Sequence, residues 1–546
     1  MKELYFILKP QKLMFFGILG LSVLLSLLNS AVPYFLKLVL DTIESSTNMR
    51  RLIFIAAGVL MVYLAKNIIY YFTKSRMGML AERVAFDLRG EMISHLHRLS
   101  VSYYEKRKPG KISTRLIHDV QSIKQFISSE FMKLMINAVM ALAVSVAIVT
   151  LNPLLAAVAL ALLPLNVFIF YYFRGYITES AREAKEHVST ITGDLVEQFT
   201  GVETVKSSAT EDQEREKFSE NMRKGMKARI RERKFYLFQK ISSDMLGGLS
   251  LVLLFTVGGY LVMSEKMTYG DFAAFYAYIG MLYPLAIRIV ADAGKFSSAQ
   301  ASLDRVYSVL HTPTAVRERD DAQSYVISRG GLEFDDVSFA YDDTPVFRHL
   351  NFRLDPGEHA LVRGPSGCGK STLLKLIPRL YDCDEGKIII DGIDHRDFTL
   401  NSLRAQIGFV FQNCFLFNMS VMENIRYARP DASDRDVRDA AERAEAHDFI
   451  RDLPLDYDTR IGEGGVQLSY GERQRIGIAR ALLKDPPLFI LDEAFGAFEP
   501  ERRESLAEEL YESARNRTML MVTHNPSLFP QIDRELMLDD TSALKG

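Results

Sequence analysis

The sequence contains no tryptophan, so any aromatic belt at a membrane surface has to be assembled from tyrosine and phenylalanine. It holds only 3 cysteines, Cys368, Cys383 and Cys414, all in the second half and without metal-ligand spacing. Neither disulfides nor a zinc site are therefore expected, and the scarcity suits a reducing cytosol. Excess charge of either sign is missing too. A formal net charge of −2 gives no overall basic field of the kind that holds nucleic acid, and no nucleic-acid partner is expected. No clear small-x-small cleavage site ends the first apolar run, which exceeds a signal-peptide core, so this run is expected to remain as a membrane helix.

What is present is divided unevenly. The 546 residues suffice for two or three domains, and the 48% hydrophobic content hides an apolar first half and a charged second half. Apolar runs at residues 13–35, 52–72, 134–151, 154–173, 246–263 and 272–287 predict six membrane spans. Short links such as Asn152-Pro153 make three of the connections hairpin tips. Two long charged stretches, 74–133 and 174–240, separate the hairpins. Basic residues beside the spans (Lys2, Lys9, Lys12, Lys74, Arg76, Lys133, Arg174, Lys234) place these stretches and the N-terminus in the cytoplasm. Val84, Leu88, Met92, Leu96 and Leu99 recur at helical spacing, as do Leu116, Val120, Ile123 and Ile127, so the spans are expected to continue as helices beyond the bilayer. Lys37, Lys66, Asn67, Asn137, Asp244, Arg288 and Asp292 are costly in hydrocarbon. They either line a polar path or snorkel from span ends, the second being preferred for Lys37, Asp244 and Asp292.

Residues 311–330 turn polar and read as a linker between a membrane domain at 1–310 and a second domain at 331–546. From Leu332 onward, short β-like runs alternate with helical ones, as in an α/β nucleotide domain. Its centre is Gly364-Pro365-Ser366-Gly367-Cys368-Gly369-Lys370-Ser371-Thr372, which fits G-x-x-x-x-G-K-[ST] between a strand-like and a helix-like run. Small residues there let backbone N–H groups face phosphate oxygens at a helix N-terminus. Lys370 is positioned by the motif for the β- and γ-phosphates and Ser371 for Mg²⁺. A second element, the apolar run 488–491 followed by Asp492-Glu493, supplies a Mg²⁺ carboxylate in Asp492 and a group to orient water in Glu493.

Taken together, these features resemble an ATP-binding cassette (ABC) exporter half-transporter of the type I exporter fold. The resemblance implies six transmembrane helices extended into the cytoplasm, followed by an α/β P-loop cassette. Tyr341 matches the family's adenine-stacking aromatic residue, Gln412 its Mg²⁺-contacting glutamine, and His524 its γ-phosphate switch histidine. Gly462-Glu463-Gly464-Gly465 and Leu468-Ser469-Tyr470-Gly471-Glu472 occupy the positions of the loop before the signature and of the signature itself. In the first half Arg89, Tyr103-Tyr104, Gly110 and Asp119, then Glu197, Gly201, Lys206 and Glu211, follow the exporter pattern, with short coupling helices implied near 106–112 and 204–211. The resemblance implies ATP and Mg²⁺ as cofactors, Glu493, His524, Lys370 and Gln412 as the hydrolytic set, and Ser371, Gln412 and Asp492 around the metal. The nucleotide would be cradled by residues 364–372 and Tyr341, with Ser469 and Gly471 reaching it from a second subunit. The implied setting is a bacterial inner membrane, with lipid around the spans and a transported substrate of unspecified identity.

Two departures stand out. The family's Leu-Ser-Gly-Gly-Gln reads Leu-Ser-Tyr-Gly-Glu, placing bulk and a carboxylate near a polyanion, and its Ser-Ala-Leu-Asp after the catalytic glutamate reads Gly496-Ala497-Phe498-Glu499. Both a homodimeric exporter and one half of a heterodimer with a degenerate ATP site are compatible with this pattern, the homodimer being favoured. A nucleotide-gated regulatory protein is a third reading, disfavoured by the intact Glu493.

Overall fold

The apolar runs fold as helices far longer than the ~20 residues that cross a bilayer. In this computed structural model, residues 11–45, 49–107, 109–462, 464–495, 500–523, 525–529, 531–538 and 544–545 are described. His524, Glu463, residues 496–499, Lys2 and Lys9 lie outside them, as does the side chain of Asp292. The chain divides into two compact units, one of residues 1–96 with 110–311 and one of residues 97–109 with 312–546.

The first unit is helical. Helix α1 spans Lys12–Ser45, α2 Met49–Arg98, α3 Pro109–Leu151, α4 Pro153–Thr200, α5 Glu211–Met263 and α6 Tyr269–Leu310. Each carries a stretch long and apolar enough to cross a membrane. The tip between α3 and α4 is set locally: the Asn152 side chain accepts from the N–H groups of Leu154 and Leu155, and Pro153 sits at the first helical position, where its missing donor costs nothing. Helices α1, α3 and α6 pack together, and α4 and α5 run along each other. The predicted apolar stripe is buried at Val84, Leu88, Met92, Leu96, Val120, Ile123 and Ile127. Single π-helical turns, Arg115–Asp119, Phe126–Phe131 and Leu254–Gly258, interrupt α3 and α5 without ending them.

Polar groups inside this unit are answered locally. Arg305 forks onto Asp119 at 2.9 and 2.5 Å, and Tyr283 donates to the Ala159 carbonyl at 3.0 Å. Tyr278 donates to the Ser30 carbonyl at 2.9 Å. Lys37 pairs with Asp271 at 2.6 Å, while the exposed Asn67 donates back to Tyr63 in its own helix. Lys66 lies over the Tyr63 ring, 4.9 Å from its centroid.

Among the described residues the second unit contains three sheets, the smallest pairing β7 Met419–Ser420 with β8 Arg460–Ile461 antiparallel. An antiparallel one has strand order β2-β1-β4-β5, with β1 Leu332–Tyr341, β2 Thr344–Leu354, β4 Glu385–Ile390 and β5 Ile393–Asp394. The third has order β12-β11-β3-β10-β9-β6, with β3 His359–Arg363, β6 Ile407–Val410, β9 Leu488–Asp492, β10 Thr518–Val522, β11 Arg534–Leu538 and β12 Leu544–Lys545. Strands β3, β10, β9, β6 and β11 are mutually parallel. β9 and β10 are buried along their whole length, which is why they read as unbroken apolar runs. The polar stretch 311–330 is held by this unit: Gln323 donates to the Asp397 carbonyl, the Ile327 amide to Gln406 Oε1, and Arg319 pairs with Asp397.

Of the coupling segments expected near 106–112 and 204–211, the first holds its short helix at Val101–Glu105, ahead of the expected position, and the second at Val202–Ser207. The first belongs to the second unit. Glu105 takes hydrogen bonds from Tyr381 and from Lys375 at 3.1 Å, and Lys106 pairs with Asp342. Burial raises the Glu105 carboxyl, but these two donors and the Lys375 charge bring it below the usual carboxylate range.

Candidate functional site

In an open α/β sheet, ligands collect beyond the carboxyl ends of parallel strands, and here three motifs from the sequence lie at those ends. The phosphate cradle follows β3, Gln412 follows β6 and Glu493 follows β9. The turn into helix α7, Lys370–Leu376, is made by Gly369, whose φ of +100 is reserved for glycine. A Cβ there would stand 2.5 Å from Val346 Cγ1 and 2.9 Å from Phe347 Cζ, so close packing also forbids a side chain. Lys370 Nζ donates to the carbonyls of Gly364 and Pro365, at 2.9 and 2.8 Å. The lysine is thus folded over the loop that a polyphosphate would occupy.

Ser371 donates to Asp492 Oδ1 at 3.0 Å, joining the first turn of α7 to the end of β9 across 121 positions of sequence. Asp492 is 4% exposed, and burial pushes its carboxyl up, with Ser371 only partly offsetting the effect. A buried carboxylate with one hydroxyl partner is well matched to a cation. No group of three or more His, Cys, Asp or Glu forms a cage among the described residues. This donor set fits Mg²⁺, which typically takes one or two carboxylates and completes its shell with water and substrate phosphates.

Beside this pair, Gln412 Nε2 donates to Glu493 Oε2 at 2.5 Å. Glu493 adopts a left-handed conformation with φ +49, and its amide donates to the Val522 carbonyl at 2.9 Å. Such a conformation costs a non-glycine residue on the order of 1–2 kcal/mol and persists only where its surroundings fix it. Tyr341 lies edge-on to Phe339 and Tyr381, with centroids 4.9 and 5.3 Å away, and its hydroxyl is 3.2 Å from Thr372 Oγ1. An aromatic ring is therefore held beside the cradle, where a purine could stack.

Ser469 and Gly471 begin helix α8, Tyr470–Lys484. Ser469 is its N-cap and Glu472 closes a capping box: the Glu472 amide donates to Ser469 Oγ at 3.3 Å, while Glu472 Oε2 accepts from the Ser469 amide at 2.7 Å and hydroxyl at 2.8 Å. The Glu472 carboxylate is therefore turned back onto its own helix end. Tyr470 turns inward as well, donating to the Gln412 carbonyl at 2.5 Å. Sequence reasoning missed both contacts. The first was available as the spacing Ser-x-x-Glu; the second spans 58 residues and has no local signal.

Comparison with known proteins agrees with this geometry. The family model of the ABC transporter transmembrane region matches residues 15–284, and that described as ABC transporter matches residues 347–496. A Bacillus subtilis (strain 168) protein named for multidrug export as an ATP-binding/permease protein is 31% identical over 100% of this chain and 95% of its own length. An ATP-dependent lipid A-core flippase of Syntrophus aciditrophicus (strain SB) is 34% identical over 94% of this chain and 85% of its own. The solved structure of a bacterial Atm1-family ABC exporter with ATP bound superimposes with a TM-score of 0.81 at 25% identity, covering 98% of this chain and 94% of that one. The chain belongs to the ABC transporter family, as a multi-pass half-transporter of the exporter type whose fused ATPase drives transport.

Proposed function

We propose that two copies of this chain form an exporter that moves a lipophilic substrate out across a bacterial inner membrane, each copy contributing one hydrolytic set and one signature helix. The observation that carries this reading is the assembly of Ser371–Asp492 and Gln412–Glu493 side by side within one chain. Both unusual signature residues are engaged by their own subunit, Tyr470 by Gln412 and Glu472 by Ser469, which keeps the aromatic bulk of Tyr470 off the helix N-terminus. Relatives named for lipid A-core flipping and for multidrug export point to a lipid or drug substrate.

In this mechanism Tyr341 stacks on adenine, the loop 364–372 cradles the phosphates with its backbone N–H groups (all but that of Pro365, which has none), and Lys370 leaves the loop carbonyls for the β- and γ-phosphates. Ser371, Asp492 and Gln412 would hold Mg²⁺, which would supply positive charge against the transferring phosphoryl. Glu493 orients the attacking water, and His524 contacts the γ-phosphate. Closure of the two cassettes on ATP is a population shift driven by their higher affinity for nucleotide when closed. The test is transport by the chain alone in proteoliposomes carrying fluorescent lipid analogues or lipophilic dyes. ATP-dependent redistribution of one of them, absent with Glu493→Gln, is expected; redistribution only on addition of a second, different half-transporter would replace the homodimer by a heterodimer.

A further inference from the structure

We propose that Tyr470 is a positioning residue for the Gln412 loop of its own subunit, holding Gln412 where its amide can engage Glu493. The proposal rests on the assignment of Gln412 and Glu493 to hydrolysis. Three contacts in series carry it. The Tyr470 hydroxyl donates to the Gln412 carbonyl at 2.5 Å. Gln474, one turn later on α8 and fully buried, donates to the same carbonyl at 2.6 Å and to the Phe411 carbonyl at 3.3 Å. The Gln412 side chain in turn donates to Glu493 at 2.5 Å.

One backbone carbonyl thus takes two donors from α8, while the side chain of the same residue reaches the carboxylate after β9. Glycine at position 470, as the family signature has it, offers no donor, so this chain holds the loop by one bond more than Gln474 alone supplies. Phe411 stacks on Phe409 with centroids 4.1 Å apart, which secures the loop on the strand side and leaves α8 to fix its far side. A loop held from both sides confines the Gln412 side chain to fewer directions, and its bond to Glu493 is correspondingly favoured. The arrangement also makes the signature helix and the catalytic carboxylate of the same subunit move together.

The experiment is a double-mutant cycle on the full chain in lipid nanodiscs, measuring kcat and KM for ATP in wild type, Tyr470→Phe, Gln412→Ala, the double variant and Glu493→Gln. Phenylalanine keeps the ring and removes only the hydroxyl. Tyr470→Phe should lower kcat about fivefold, the weight of one neutral hydrogen bond, with KM within about twofold. The double variant should match Gln412→Ala alone, because Tyr470 acts through Gln412. Independent, multiplicative losses would overturn the proposal and place the action of Tyr470 elsewhere, on nucleotide held by the opposite subunit; a Tyr470→Phe rate equal to wild type would also overturn it.

A second measurement needs no hydrolysis. Because the chain has no tryptophan, Phe411→Trp gives a single reporter beside Gln412. Acrylamide quenching of this reporter should rise about twofold when Tyr470→Phe is added, as the loop opens locally more often. Unchanged quenching would overturn the proposal. Should wild type hydrolyse no ATP by itself, the homodimer reading fails and the quenching result alone decides the role of Tyr470. Should Glu493→Gln hydrolyse as fast as wild type, the assignment of the hydrolytic set fails instead.

Discussion

Glu472→Gln changes one oxygen to an amide at the point where the signature departs most from its family, and its effect can be worked from the capping box. Glu472 Oε2 sits 2.7 Å from the Ser469 amide nitrogen and 2.8 Å from its hydroxyl. In the proposed sandwich, the γ-phosphate bound by the opposite subunit needs those same donors, so the carboxylate has to release them first. Hydrogen bonds to a charged group contribute about 1.5–3 kcal/mol and neutral ones about 0.5–1.5 kcal/mol, so glutamine releases each of the two for about 1 kcal/mol less, about 2 kcal/mol together. It also removes a negative charge from the approach of a polyanion, which adds in the same direction. We expect Glu472→Gln to lower the KM for ATP about thirtyfold, with kcat unchanged or higher. Helix α8 should survive, because Gln474, Ile476, Ile478, Ala479 and Leu482 bury its inner face. The assay is steady-state hydrolysis over a wide ATP range on the chain alone. A KM that stays fixed or rises would refute the competition between Glu472 and phosphate.

Gly369→Ala should abolish nucleotide binding, measured with a fluorescent ATP analogue. Its Cβ would meet Val346 and Phe347 within 3 Å in a backbone conformation of φ +100, and binding within threefold of wild type would contradict the packing described. Tyr341→Ala should weaken ATP binding by about 1–3 kcal/mol, the range for stacking of a base on an aromatic ring, and Tyr341→Phe should restore most of it; equal loss in both would mean that the hydroxyl contact with Thr372 matters more than stacking. Glu105→Gln tests the electrostatics of the short helix Val101–Glu105. The folded-state Glu105 carboxyl titrates below its unfolded value, so its stabilising contribution is present above the unfolded value and is lost as pH falls through the folded one. The thermal midpoint of wild type should exceed that of Glu105→Gln at about pH 7, and the gap should narrow only as pH falls below about 4; a gap that widens in acid would reverse the sign of the argument.

Much of this architecture was legible because its signals are local. The cradle declares itself by glycine spacing at a strand-to-helix turn, and β9 and β10 by apolar runs that a buried parallel strand requires. The helical extensions were visible in the recurrence of Val84, Leu88, Met92 and Leu96. β2 and β11 were not expected, since Arg348, His349 and Asn351 break the apolar pattern of the first and Arg534-Glu535 that of the second; neighbouring strands supply their order. Residues 311–330 lack apolar periodicity, yet backbone and ion-pair partners at Asp397 and Gln406 hold them on the second unit. At the site, the types of Ser371, Asp492, Gln412 and Glu493 were readable, whereas their pairing depended on strand order. The direction of Glu472 was legible in the Ser-x-x-Glu spacing, whereas that of Tyr470 was not, because its partner lies 58 residues away in the same subunit.

The central claim is that this chain alone assembles a working ATPase. Its most direct test is ATP hydrolysis by the purified chain in a lipid bilayer mimic, with Glu493→Gln as the blank. The account predicts hydrolysis by the wild type that falls at least about 10²-fold in the blank while ATP binding is kept. Bound ATP with no hydrolysis by the wild type, restored by mixing in a second half-transporter with a complete signature, would contradict it.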